Sequence, residues 1–279
     1  MKVFLTGASS GLGWALATEF VRRGATIGLV ARRADLLERF QSAHPGANIA
    51  LYPVDVTDTA ALHAAAADFI QRHGVPDIVV ANAGISAGSV SGLGDLAVFR
   101  RVMDVNYLGM VSTFEPFVAE MRHKGRGTLV GIASVAGVRG LPGAGAYSAS
   151  KAAAMRYLES LRVELHNTGV AVVTIAPGYI RTPMTNHNPY PMPFLMEADA
   201  FAIKAVDAML ARRRFVVLPW PMRLVAIALH VLPRFLYDFA FAKAPHKPRM
   251  SPTPPPPSSA PDGTSDGTSD QTASNKAPD

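Results

Sequence analysis

Lys2-Val3-Phe4-Leu5-Thr6-Gly7-Ala8-Ser9-Ser10-Gly11-Leu12-Gly13 reads as a short apolar strand that enters a glycine turn and continues as a helix through Val21. Glycines at 7, 11 and 13 permit a tight strand-to-helix turn. With no side chains there, backbone N–H groups and the positive end of the helix dipole can approach a pyrophosphate closely. A lone turn of this kind is a weak signal, so its context decides its weight. Downstream, apolar runs near 25–30, 48–54, 77–81, 127–132, 171–175 and 214–218 alternate with Ala- and Leu-rich helical stretches. Ile78-Val79-Val80-Ala81 and Val170-Ala171-Val172-Val173-Thr174-Ile175 are unbroken, as strands of a parallel sheet covered on both faces should be. The pattern predicts an α/β, doubly wound (Rossmann) domain over 1–218, with a seven-stranded parallel sheet and helices on both faces. Ligands of such sheets bind beyond the carboxyl ends of the strands, where Gly7, Asn82, Ser134 and Pro177 all fall.

A second constellation lies in Tyr147-Ser148-Ala149-Ser150-Lys151. A spacing of four stacks the phenol and the ammonium on one helix face. An unperturbed tyrosine, with a pKa of about 10, is a poor acid or base near neutrality, and a fixed positive charge beside it favours the phenolate. Ser134, thirteen residues earlier and just past the apolar run Thr128 to Ile132, adds a hydroxyl able to hold a carbonyl oxygen beside that phenol. Taken alone, a Tyr/Lys pair at this spacing is an ordinary surface contact; the glycine turn changes its weight.

Together Thr6-Gly7-x-x-x-Gly11-x-Gly13, Asn82-Ala83-Gly84, Asn106, Ser134, Tyr147-x-x-x-Lys151 and Pro177-Gly178 resemble the short-chain dehydrogenase/reductase family, in order and at family spacing over roughly residues 1 to 218. The resemblance implies hydride transfer between a nicotinamide and a carbonyl or alcohol carbon. Tyr147 would donate the proton, Ser134 orient the oxygen, Lys151 lower the phenol's pKa and bind the nicotinamide ribose, and Asn106 hold a water that relays protons. The cofactor would lie against Gly7, Ser9, Ser10, Gly11, Leu12 and Gly13, with Asp55-Val56 at the adenine, unless Asp55 instead caps the helix from Asp58, and Asn82, Ala83 and Gly84 on the adenine-ribose side. Tyr147, Lys151, Pro177, Gly178, Ile180 and Thr182 would complete its nicotinamide end.

The choice of dinucleotide is read after the second strand, where folds selective for NAD usually carry an acidic residue. This chain has Ala31-Arg32-Arg33, which repels no 2′-phosphate and offers guanidinium donors. NADP(H) is the expected cofactor, with Arg32 the first contact and Arg33 the second. The family reads its substrate with a variable loop after Pro177-Gly178, here 179–199, rich in Met, Pro and aromatic residues. These suit an apolar ligand, lipid-like or steroid-like, or fold the loop onto its own core.

Composition agrees with an enzyme. At 279 residues and 49% hydrophobic, the chain is long enough for one large core. It contains no cysteine, which excludes disulfides and thiolate metal sites and suits a reducing compartment. No metal site is expected. Met1 runs straight into the first strand, leaving no room for a signal peptide, so the expected location is cytoplasmic, including the inner face of a membrane. The net charge of +6 comes without a basic stripe or stacking motif, so no nucleic-acid partner is expected.

Beyond the seventh strand, 219–243 is strongly apolar, with Arg223, His230, Arg234 and Asp238 forming a narrow polar stripe at spacings of seven, four and four. Three readings fit this segment: a helix in the membrane interface, a lid over the substrate, or a dimer-packing helix. Trp220 and the upstream Arg212-Arg213-Arg214 favour the first, and Pro233 should restart a second helical piece. Residues 244–279, with four consecutive prolines and a doubled Asp-Gly-Thr-Ser, are expected to be a disordered Pro/Ser/Gly-rich tail. Family members pair through the helices carrying Asn106 and Tyr147, which implies a homodimer or homotetramer. The competing function is a noncatalytic Rossmann-fold protein that senses nucleotide or binds a partner, although such a protein has no chemical reason to keep all four catalytic positions filled.

Overall fold

The computed structural model describes residues 1–186, 188, 191–242 and 249. Seven strands, β1 (Lys2–Thr6), β2 (Thr26–Val30), β3 (Ile49–Tyr52), β4 (Ile78–Ala81), β5 (Gly127–Ile132), β6 (Val170–Pro177) and β9 (Phe215–Leu218), form one parallel sheet in the order β3-β2-β1-β4-β5-β6-β9. Their limits fall within two residues of those expected from the apolar runs, because strands covered on both faces are bounded by the first residues that cannot be buried. The fold is the doubly wound one read from the sequence.

One face of the sheet is covered by α1 (Gly11–Arg22), α2 (Ala34–Ala43) and α7 (Ala198–Leu210), whose core includes Leu16, Phe20, Phe40 and Phe201, all fully buried. The other carries α3 (Thr59–His73), α5 (Gly109–Lys124) and α6 (Gly145–Glu164), packed around Phe4, Phe69, Phe114 and Phe117. Phe4 meets Phe69 edge-on with ring centroids 5.5 Å apart, a favourable arrangement of aromatic quadrupoles. The chain reverses its direction of travel across the sheet between β1 and β4, and that switch opens the crevice at their carboxyl ends.

A small second sheet was not anticipated. β7 (Ile180–Arg181) pairs in parallel with β8 (Met196–Glu197), and the Arg181–Glu197 ion pair at 2.7 Å ties the base of the loop between them. Two-residue strands leave no periodic signal. Tyr190 of this loop, and the 244–279 tail apart from Arg249, lie outside the described residues.

The apolar segment is two helices, α8 (Pro221–Val231) and α9 (Arg234–Phe241), bent by 116°. The single polar stripe expected along one helix is therefore divided. Pro233 has no N–H to continue the ladder and starts the second piece, as its position suggested. Arg212–Arg214 precede β9 at its amino end and Trp220 follows it at the other, about 13 Å of strand away.

Candidate active site

The glycine turn is built by β1, α1 and the end of β4. Gly7 holds φ +72°, and a Cβ there would lie 2.7 Å from the Ala83 Cα. At Gly13 a Cβ would stand 2.0 Å from the Gly7 carbonyl oxygen, so no other residue fits. Asn82 fastens this turn rather than merely lining the cleft. Its side-chain amide donates to the carbonyls of Thr6 and Gly7 at 3.0 and 3.2 Å, while the Thr6 hydroxyl accepts from the Asn82 and Ala83 N–H groups. Ser10, the residue before α1, makes no side-chain cap bond, which leaves donors of the first turn directed to the cleft. An uncapped helix start of this kind fits a pyrophosphate.

Arg33 lies over the same turn, donating to the Ser9 and Ser10 hydroxyls at 3.2 and 3.4 Å. Arg32, the first choice from sequence, points instead toward Asp55 at 3.7 Å. Asp55 also takes the Thr57 N–H at 3.0 Å and Arg101 at 3.2 Å. Burial pushes its carboxyl up, but the hydrogen bonds from Thr57 and Arg101 outweigh it and hold the pKa below the usual range. The cap of α3 is Asp58, which accepts from Ala61.

On the other side of the crevice, Ser134 lies two residues past β5 and caps a 3-10 turn, Val135–Gly137, its Oγ accepting from the Ala136 N–H at 3.1 Å. Gly137 brings that turn onto α6. A Cβ at Gly137 would come within 2.7 Å of the Lys151 carbonyl carbon, so the Ser134 loop packs directly on the helix that carries Tyr147 and Lys151. Lys151 is buried and donates from Nζ to the Ile132 carbonyl at 2.8 Å, with the same atom 5.9 Å from the centre of the Tyr147 ring. Burial lowers this ammonium to about 8. It also pushes the Tyr147 phenol up, and a hydrogen bond from the Ser134 hydroxyl pulls it back only in part. This differs from the sequence expectation, in which the lysine charge was to bring the phenol down. Desolvation dominates because both groups sit behind the same walls.

Asn106 is fully buried in a five-residue π-helical segment, Asp104–Leu108, between α4 (Leu96–Met103) and α5. Three hydrogen bonds hold its side chain. Oδ1 accepts from the Ile85 N–H at 2.8 Å, and Nδ2 donates to the Ile85 carbonyl at 2.9 Å and to the Ser150 hydroxyl at 3.0 Å. Ser150 in turn donates to the Tyr147 carbonyl at 2.8 Å. A water held at Asn106 is left the second lone pair of Oδ1 or the main chain.

Gly7, Ser9, Ser10, Gly11, Leu12, Gly13, Arg32, Arg33, Asp55, Val56, Asn82, Ala83, Gly84, Ser134, Tyr147, Lys151, Pro177, Gly178, Ile180 and Thr182 all line one continuous cleft. Asn106 stands behind it. Met184, part of the Met-rich loop read from sequence, lines it too; Thr185, which also lines it, was not picked out, and neither were Ser150 and Gly137, whose roles depend on partners distant in the chain. Thr182 closes the cleft opposite the glycine turn, 3.4 Å from where a Cβ on Gly11 would stand.

A glycine turn at the switch point of a parallel sheet, facing Ser134, Tyr147 and Lys151 across one cleft, defines a nicotinamide-dependent oxidoreductase. Residues 1–191 match the short chain dehydrogenase family. An oxidoreductase of Myxococcus xanthus is 37% identical over 238 residues, covering 85% of this chain and 94% of the relative. An alcohol dehydrogenase of Thermococcus sibiricus complexed with 5-hydroxy-NADP superposes with a TM-score of 0.70 at 26% identity, over 78% of this chain and 95% of that one. L-Sorbose reductase of Gluconobacter frateurii, complexed with NADPH and L-sorbose, gives a TM-score of 0.70 at 25% identity, over 77% and 94%. The chain belongs to the short-chain dehydrogenase/reductase family and is an oxidoreductase.

Proposed function

We propose that this oxidoreductase is an NADP(H)-dependent carbonyl reductase acting on a ketone, or in reverse a secondary alcohol, on an apolar, lipid-like or steroid-like skeleton. The observation that carries it is the convergence of Tyr147, Ser134 and Lys151 on the same cleft as the uncapped start of α1. A bound nicotinamide supplies the hydride; the chain supplies everything else. Tyr147 gives its proton to the developing alkoxide, Ser134 hydrogen-bonds that oxygen, and the Lys151 ammonium stabilises the phenolate left behind. The π-helical segment and Ser150 fix the backbone of α6 at Tyr147.

Arg33, with Ser9 and Ser10, forms the donor cluster for a 2′-phosphate, and Arg32 ranks second. The bound nucleotides of the Thermococcus and Gluconobacter relatives support this choice. The apolar substrate is supported by the cluster of Val135, Val138, Tyr179 and Met222 beside Ser134 and Gly178, and by Met184 in the cleft. Leu108 and Val163, exposed on the Asn106 and Tyr147 helices, support pairing of two copies there.

Consumption of NADPH and NADH with ketones of graded hydrophobicity tests the reading. NADPH should serve far better than NADH, with kcat/KM rising along the hydrophobic series. Arg33→Ala should raise KM for NADPH roughly 10- to 100-fold, the loss of about 1.5–3 kcal/mol of charged hydrogen bonding, and leave NADH kinetics unchanged. Equal use of the two cofactors, or uniform failure on apolar ketones, contradicts it.

A further inference from the structure

Helix α8 is apolar on two opposite faces. Met222 and Ala226 are buried against Val135, Ala176 and Val217. On the opposite face Leu224, Ile227 and Val231, at i, i+3 and i+7, are 61%, 50% and 69% exposed, and Trp220 at the start of the helix is 71% exposed. Helix α9 repeats the arrangement. Tyr237 is buried, its hydroxyl donating to the Gly140 carbonyl and its ring under the Arg139 guanidinium at 4.7 Å, while Phe235 and Phe239 are 71% and 86% exposed. Arg139 also donates to the Leu232 carbonyl at 3.1 Å, so the bend between the helices is clamped to the loop that follows Ser134. The outer faces thus carry bulky side chains that the fold's own packing does not require. Scattered single exposed hydrophobes are normal, but a run of them on adjacent turns of two successive helices is a contact surface.

We propose that the outer face of α8 and α9 docks on an anionic lipid surface. The aromatic and aliphatic residues face outward while Arg223 and His230, seven residues apart, share one exposed flank of α8 and Arg234 opens α9, so cationic side chains border the apolar surface as on a helix lying at the headgroup boundary. Asp238 is the one carboxylate on these helices. The helices have 11 and 8 residues, about 16 and 12 Å long, and neither crosses the roughly 30 Å hydrocarbon core. Each instead lies in the interface on its apolar side. The inner faces of the same helices pack on the Ser134 loop and, through Met222, against Gly178, so docking sets the substrate end of the cleft beside the lipid. That consequence for substrate delivery rests on the carbonyl-reductase reading; the docking does not.

The test uses the full chain and vesicles without substrate. Wild type should co-sediment with vesicles of 70% phosphatidylcholine and 30% phosphatidylglycerol, less so with phosphatidylcholine alone, and Trp220 fluorescence should shift to shorter wavelength. Leu224→Glu/Ile227→Glu/Phe235→Glu, at outward positions, should lower partitioning at least about tenfold with thermal stability and turnover of a small soluble ketone retained. Trp220→Phe should abolish the spectral shift while keeping most of the sedimentation. Wild type remaining in the supernatant, or a triple variant that partitions equally well, overturns the proposal. So does a triple variant that converts a dimer to monomers while vesicle binding is absent, since the face is then a contact between copies.

Discussion

At the scale of single residues, Lys151 shows how burial at this site favours chemistry over stability. Its ammonium is held at about 8 against an ordinary 10.5, so the folded state disfavours the charge. The cost is present in full below pH 8 and fades as pH rises from 8 toward 10.5, because the folded lysine discharges while the unfolded one stays charged. Lys151→Met should therefore be more stable than wild type at pH 7, by about 1–2 kcal/mol in urea unfolding, with the gap closing above pH 8, while turnover is lost. A variant less stable than wild type at pH 7 contradicts this account. Tyr147, Lys151 and Ser134 were legible in sequence because their chemistry is specific to their residue types. The direction of the phenol's shift was not, since it follows from desolvation that only the folded chain supplies. Nor was Ser150 legible: a serine inside a helix carries no signal until Asn106, 44 residues away, is placed against it.

At the scale of elements, α1 is held at both ends of its length, by the glycine turn and by an ion-pair cluster with α7. Glu19 is hydrogen-bonded by Arg22 and by Arg23, and Arg23 reaches Asp207 of α7 at 2.7 Å. The Arg22 hydrogen bond, aided by Arg23, holds the Glu19 carboxyl down at about 2 against burial, from an ordinary 4.5. Its folded pKa lies below the unfolded value, so this stabilisation is present above pH 4.5 and lost as pH falls from 4.5 to 2. Glu19→Gln should cost about 1–2 kcal/mol at pH 7, and the gap to wild type should shrink through that window in denaturant titrations. A gap independent of pH down to 2.5 would show that packing, not charge, is involved. Strands and helices of ordinary length were readable because burial on two faces leaves an unbroken apolar run and burial on one leaves a period; β7 and β8 were too short to leave either. The division of the apolar segment into α8 and α9 was signalled by Pro233. Its 116° bend was not, because the clamp is Arg139, over 90 residues earlier.

At the scale of the whole molecule, the strand order fixes function. The switch between β1 and β4 places the glycine turn and Asn82 side by side, and β5, the next strand, delivers Ser134 to the same crevice. Alternation of strand and helix made this arrangement readable, since right-handed crossovers leave few alternatives. What remained hidden was every contact depending on which loops meet above the sheet, such as Gly137 on α6 and Thr182 over Gly11. The central claim is that the cleft is a carbonyl-reducing site with Tyr147 as its proton donor. Tyr147→Phe measures it most directly. NADPH binding, followed by fluorescence titration, should stay within about twofold of wild type, while reductive kcat falls roughly 10³-fold, as expected for loss of a general acid; a variant that retains more than about a tenth of the wild-type rate would contradict the account.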